Sequence, residues 1–310
     1  VLLAALLASC SSSSSSSSPE AASPSTPRPT SVVEPVQDEQ TSKLRALADL
    51  AEQHAAALPA AQAPAARTDG EPVLGADMSW PQCPKGMGIP ERPTQGSPLP
   101  LPEAEYVVLG LTNGPGFTPN PCLADQVAWV RDRGLMAAAY AVASLPSAAQ
   151  VEQHGADGPY DGATELGALA NTGYQQGLEN VATMRQAGLR TPIVWVDVEP
   201  VPDFDWGSDT SVNGAVVEGA VRAYSDAGYS VGVYSTPYLW ADVVGDLALG
   251  LPEWRAAGQT SREEALSRCG ADGAIQGGAP VLGQWVEAGR DQNVTCPGVE
   301  ADLGRWFHQY

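Results

Sequence analysis

Basic side chains are scarce in this chain. Sixteen Lys and Arg stand against 36 Asp and Glu, a formal net charge of −20 with a pI near 4.3. That balance excludes nucleic acid as a partner, because phosphate recognition rests on Lys and Arg, and it disfavours direct adhesion to anionic polymers. Histidine is scarcer still. His54, His154 and His308 are far apart, so no His cluster supports metal catalysis. No two of the five cysteines have C-x-x-C spacing, which argues against a zinc site. The run Gly228-Tyr229-Ser230-Val231-Gly232 has the G-x-S-x-G form of serine hydrolases, but it closes a helical pattern and opens a strand. A nucleophile elbow does the reverse. The apolar stretch at residues 1–10 is too short to span a bilayer, which takes ~20 residues.

What is present divides the chain in two. Residues 1–10, VLLAALLASC, resemble the apolar part and cleavage site of a secretory signal. Leu7-Ala8-Ser9-Cys10 has the form of a lipobox, which predicts lipidation of Cys10. A basic segment is missing before it, so the true start is expected upstream, or Val1 is an alternative start. Residues 11–71 are a low-complexity Ser/Pro/Ala tether that cannot bury a core. Within it, Leu44, Leu47, Leu50 and Leu58 recur near helical spacing and predict a short helix at 41–58. The folded domain is expected over 72–310, long enough for a well-buried core. In an exported chain Cys83, Cys122, Cys269 and Cys296 predict two disulfides. Three pairings are open; proximity in sequence favours Cys83 with Cys122 and Cys269 with Cys296.

Across the folded part, strand-like and helix-like segments alternate, the pattern of a parallel α/β fold. The most informative stretch is residues 193–206, IVWVDVEPVPDFDW. Read with a period of two, Val194, Val196 and Val198 share one face, and Ile193, Trp195, Asp197 and Glu199 the other. The valine face is expected to meet helices, and the acids to emerge at the C-terminal end of the strand, where such folds keep their chemistry. A second strand, residues 73–79, likewise carries an acid, Asp77, near its end. Beyond Leu251 the alternation weakens: strands are predicted at 253–257, 280–287 and 299–303, with one helix at 260–268.

Gly75-Ala76-Asp77-Met78-Ser79 with Gln82, Asp197-Val198-Glu199, Gly232-Val233-Tyr234-Ser235 with Tyr238 and Trp240, Gly283-Gln284-Trp285 and Ala301-Asp302-Leu303 follow one another in order. This set resembles the landmarks of the family 25 glycoside hydrolases, lysozyme-type muramidases. The stretch from Tyr106 through Asn120-Pro121-Cys122-Leu123 to Trp129 is similar to an exported actinobacterial group of glycoside-hydrolase-like proteins. The chain departs from the family with Pro200 after Glu199, with Gln284-Trp285-Val286 in place of Trp-Gln-Tyr, and with Gly304 where an Asn is usual.

The resemblance implies an irregular (β/α) TIM-like barrel of five βα units and three further strands, acting as a monomer without metal or organic cofactor. It implies Glu199 as the general acid and Asp197 as the carboxylate that orients or stabilises the substrate. Asp77 and Asp302 would reach the same mouth from the first and last strands. Tyr140, Trp206, Tyr234 and Trp285 are candidates for stacking on sugar rings. The expected substrate is a β-linked amino-sugar polymer, most of all peptidoglycan, met at the outer face of the membrane from a lipid anchor. The alternative reading keeps the barrel and gives up catalysis, leaving a cell-wall glycan-binding module.

Overall fold

The computed structural model describes residues 64–201 and 204–310. The secretory segment, Cys10, the serine run and the helix expected at 41–58 lie outside the described residues. Among those described, no helix is long and apolar enough to cross a membrane.

Eight strands close a barrel. In chain order they are β1 (Leu74–Met78), β4 (Tyr106–Gly110), β5 (Met136–Val142), β6 (Ile193–Asp197), β7 (Ser230–Ser235), β8 (Glu253–Gln259), β9 (Pro280–Glu287) and β10 (Arg290–Thr295). Parallel pairing runs from β1 through β9; β10 is antiparallel to both β9 and β1 and closes the ring. A two-stranded ribbon, β2 (Gly88–Ile89) and β3 (Arg92–Pro93), lies in the loop after β1, and β11 (His308–Gln309) adds to the start of β5. The helices are α1 (Leu123–Asp132), α2 (Ala148–His154), α3 (Glu165–Ala187), α4 (Thr210–Asp226), α5 (Pro237–Val244) and α6 (Arg262–Ser267).

The period-two reading of β6 holds. Ile193 and Trp195 pack inside the barrel with Tyr106, Val108, Tyr234 and Trp254, whereas Val194, Val196 and Val198 join Val127, Val181, Val217 and Tyr224 of the surrounding helices. Large aromatics fill the interior only because some inward positions are glycine. A side chain at Gly75 would run into the Tyr106 ring, and one at Gly232 into Trp195. The glycines of α3 have a related use, since Gly173 lies against the Val216 backbone of α4.

The closing third of the ring is covered differently. β8 turns Glu253 and Arg255 outward, both fully or nearly fully buried at 0 % and 3 % exposure. Glu253 Oε2 lies 2.7 Å from the Arg255 guanidinium and accepts from Ile275 N–H, and Glu253 Oε1 accepts from the N–H groups of Gln276 and Gly278. Arg255 donates onward to the carbonyls of Arg268 and Gly270. This ion pair holds the loop between α6 and β9 against a strand that no long helix covers. Next to it is the disulfide Cys269–Cys296; the other is Cys83–Cys122, so both pairings favoured by proximity are formed.

One expectation is corrected. The segment 299–303 is not the last strand: it lies within a 3-10 segment, Val299–Arg305. The last barrel strand is Arg290–Thr295, reached through a two-residue turn in which Ala288 and Gly289 both have positive φ, 51° and 70°. Arg67, ahead of residue 72, also reaches the barrel domain. Arg67 donates its backbone N–H to Glu300 O and its guanidinium to Glu105.

Breaking a buried ion pair from one side leaves a charge without its partner, which costs about 3–5 kcal/mol. Glu253→Gln is therefore expected to lower the unfolding free energy by several kcal/mol in chemical denaturation and to loosen protection of amides 268–278 in hydrogen exchange, with smaller effects in β4 and β5.

Candidate active site

The C-terminal ends of the parallel strands surround a cavity of about 320 Å³. Asp77, Asp197, Glu199 and Asp291 line it, with Tyr140, Tyr234, Trp254 and Gln284 among their neighbours, and no Lys or Arg is in the wall. β6 ends at Asp197, and Glu199 follows on the first inward position beyond it, held there by backbone contacts. Val198 donates its N–H to Tyr234 O and accepts from Ser235 Oγ. Trp206 Nε1 donates to Glu199 O.

Asp77 is clamped. Its Oδ2 accepts from Asn293 Nδ2 at 2.7 Å and from Gln284 Nε2 at 3.1 Å. Each amide is oriented from behind by a group that can only donate there: Trp254 Nε1–H bonds Asn293 Oδ1 at 2.7 Å, and the Tyr234 hydroxyl bonds Gln284 Oε1 at 2.8 Å. Burial and the charges of Glu199 and Asp197 raise the Tyr234 pKa, so the hydroxyl keeps the proton it donates. The chain Tyr234–Gln284–Asp77–Asn293–Trp254 thus ties β7, β9, β1, β10 and β8 together under the cavity floor.

The acids are hard to ionise together. Burial raises the pKa of Asp77, Asp197, Glu199 and Asp291. Neighbouring charge adds to it: Asp291 raises Asp77 and Glu199, and Glu199 and Asp77 raise Asp197. Two amide donors oppose this at Asp77, and Arg92 at Glu199, without reversing it. Asp197, 3 % exposed, has one oxygen, Oδ1, with no hydrogen-bond partner among the described residues. A buried carboxylate oxygen without a donor is costly unless the carboxyl is protonated or a ligand group reaches it. Among the described residues, no three His, Cys, Asp or Glu side chains are grouped to hold a metal ion.

Of the predicted site residues, Asp77, Asp197, Glu199, Tyr140 and Tyr234 line the cavity. Three do not. Asp302 is exposed on the 3-10 segment, because the strand that was to carry it inward is absent. Trp285 is on the outward parity of β9 and packs on Ala265 and Val294. Trp206 packs against outer-shell residues near α3 and α4, and supports Glu199 only through its backbone. Sequence reasoning missed Asp291, Gln284, Asn293 and Trp254. The turn pair Ala288-Gly289 was the available signal for the hairpin that delivers two of them.

Residues 166–264, about a third of the chain, match the family model described as "Lysozyme-like protein 1". The matched part runs through β6, β7 and β8, and so includes Asp197, Glu199, Tyr234 and Trp254. Curated relatives include "Counting factor 45-1" of Dictyostelium discoideum, 38 % identical over 77 residues, which are 24 % of this chain and 25 % of the relative. Another is "Lysozyme-like protein 5" of Caenorhabditis elegans, 34 % identical over 62 residues, 20 % of this chain and 27 % of that one. The chain spans about a quarter of the length of these relatives. Solved structures with a similar course include a bacterial lysozyme from Streptomyces coelicolor, at 15 % identity and a TM-score of 0.49 over 77 % of this chain and 98 % of that one. A family 25 glycosyl hydrolase from Bacillus anthracis gives 12 % identity and 0.49 over 79 % and 99 %.

A carboxyl whose pKa is raised by folding favours the native state below its unfolded value and disfavours it as pH rises through the raised one. Asp197→Asn removes the ionisation. The variant is expected to be more stable than wild type at pH 7 and to lose that advantage near pH 3. Thermal or urea unfolding at both pH values reads the difference.

Proposed function

We propose that this protein hydrolyses a β-linked amino-sugar polymer, peptidoglycan above others, with Glu199 as general acid and Asp197 as the carboxylate that orients and stabilises the substrate. The observation that carries this reading is the cavity itself, in which Glu199 faces Asp77, Asp197 and Asp291 with no basic side chain in the wall. Glycosidic cleavage needs a carboxylic acid that holds its proton to higher pH than an exposed carboxyl, and burial with a like charge nearby shifts Glu199 in that direction. It also needs an anion beside the oxocarbenium-like centre. Asp197, whose Oδ1 has no partner among the described residues, offers an oxygen to the substrate's anomeric region or its 2-acetamido group. Tyr140, Tyr234 and Trp254 supply aromatic walls for a sugar ring.

Two disulfides fit action outside the cell, where thiols stay oxidised. A lipid on Cys10 and the low-complexity tether would hold a monomeric domain at the outer membrane face, within reach of the wall. The second reading, a glycan-binding module without catalysis, is favoured by Pro200, which follows Glu199 directly and departs from the muramidase pattern.

The full chain incubated with purified cell walls is expected to release new reducing ends. Glu199→Gln keeps size and hydrogen bonding but cannot donate the proton, and is expected to lower the rate by 10²-fold or more with the melting temperature held or raised. Wild-type chain that sediments with walls yet releases nothing gives the binding-module reading in its place.

A further inference from the structure

A second cavity opens on the outside of the barrel, between α3, α4 and the end of α5. It measures about 420 Å³ and has no lining residue in common with the cavity at the strand ends. Ligand pockets of proteins run from about 300 to 1,000 Å³. Further along their length α3 and α4 touch backbone to backbone, since a side chain at Gly173 would run into Val216 and one at Gly219 into the Ala170 carbonyl. Toward the helix starts, small residues leave a trough instead, with Gly167 and Ala170 on one side and Gly214 and Ala215 on the other. The lining of α4 runs from Thr210 to Glu218, about 12 Å of helix axis, the span of roughly four residues of extended peptide.

The trough is formed in advance of any occupant. Tyr160 donates its backbone N–H to Asn171 Oδ1, and Asn171 Nδ2 donates back to the carbonyls of Tyr160 and Gly155; Asn171 itself is fully buried. From that fixed backbone the Tyr160 side chain crosses to α4, where its hydroxyl donates to Glu218 O at 3.4 Å. Leu166 is in the first turn of α3, which Thr164 caps by accepting from Gly167 N–H, and it is 47 % exposed. Val244 and Leu247 line the side toward α5. A large aliphatic side chain left in water beside an apolar trough is surface that a bound partner would cover.

The charge around it has one sign. Glu218 and Asp246 are in the lining, both exposed and in no ion pair among the described residues, and no Lys, Arg or His lines the cavity. Arg222, one turn beyond Glu218, is held by Asp226 at 2.7 Å. Burial raises the Tyr160 pKa, and Glu218 raises it further than Arg222 lowers it. A second copy of this chain would bring another −20 charge to the contact, and an anionic lipid or polymer is repelled in the same way. A neutral sugar ring would find a single aromatic here, with its hydroxyl engaged, among aliphatic walls. An aliphatic side chain flanked by bases matches both the lining and the charge.

We infer that this cavity docks a basic peptide segment of a second protein, whose aliphatic side chain fills the trough between Ala170 and Ala215 while its Lys or Arg neighbours meet Glu218 and Asp246. Nothing in this docking involves the carboxylates at the strand ends.

A random peptide library displayed on phage, selected on the full chain and counter-selected on Gly214→Leu, tests it. A Cβ at Gly214 meets only Leu247, at 3.7 Å, so the new side chain occupies the trough without altering charge. Selected peptides are expected to share an aliphatic residue with Lys or Arg next to it. Synthesised singly, they are expected to lose at least tenfold in affinity for Gly214→Leu, and as much for Glu218→Lys/Asp246→Lys, in which both altered positions are exposed. Asp132→Lys/Asp302→Lys makes the same change in net charge at exposed positions outside the cavity, and is expected to bind within twofold of wild type. Thermal melting confirms that each variant is folded. A selected consensus without Lys or Arg, no enrichment at all, or undiminished binding to Gly214→Leu overturns the docking. So does an equal loss in Asp132→Lys/Asp302→Lys, which assigns the attraction to overall charge, or a wild-type dimer that Gly214→Leu dissociates, which gives the trough to a second copy. Release of reducing ends from cell walls decides none of these outcomes.

Discussion

Four carboxylates share one cavity whose wall contains no basic side chain, and most of what is distinctive about this barrel answers that constraint. A buried anion needs donors, a counter-charge or a proton. Asp77 has donors: two amides, each oriented by an aromatic N–H or O–H that leaves it no alternative direction. Glu199 has Arg92 near enough to lower its pKa, but burial and Asp291 prevail. Asp197 has the least support, with one oxygen that no described residue satisfies. The acids of the cavity therefore hold their protons to higher pH than exposed carboxyls do, and a proton retained on a carboxyl at a sugar-sized opening is the prerequisite of glycosidic acid catalysis. Stability is sacrificed locally and supplied elsewhere, by the aromatic interior, the disulfides and the buried Glu253–Arg255 pair under the least covered strand.

The first two-thirds of the barrel was legible because its strands alternate against helices. In 193–198 every second residue is valine, and those valines meet the helices as the pattern requires. The acids followed from the same parity. The last third was not legible, for a physical reason. Arg290–Thr295 is an antiparallel strand whose inward residues are all polar, Asp291 serving the cavity, Asn293 the Asp77 clamp and Thr295 the Val73 N–H, so apolar alternation never develops. Residues 299–303 contain Val299 and Leu303, both buried, but a spacing of four belongs to a helical turn as readily as to a strand, and the structure uses the turn. Asp302 consequently lies on the surface, and Asp291 occupies the cavity position expected of it. Trp285 and Trp206 show the same limit at single residues. An aromatic in a motif announces burial, whereas the parity of its strand decides whether it is buried toward the site or away from it.

The lysozyme-like match covers one half of the site, Asp197 and Glu199 with the Tyr234 and Trp254 walls. The other half, Asp77 with its amide clamp and Asp291, comes from the strands that close the ring on either side. A catalytic account therefore depends on both halves having been brought together, with the acid from β6 and its electrostatic partners from β1 and β10.

The central claim is that this cavity keeps Glu199 protonated beyond the range of an ordinary glutamate. Infrared difference titration of the full chain carrying ¹³C-carboxyl glutamate, with Glu199→Gln as the subtraction partner, reads that proton directly. The account predicts a carboxylic acid band assigned to Glu199 that survives above pH 4.5 and moves to lower pH in Asp291→Asn. A Glu199 carboxylate already ionised at that pH, unmoved by Asp291→Asn, would contradict it.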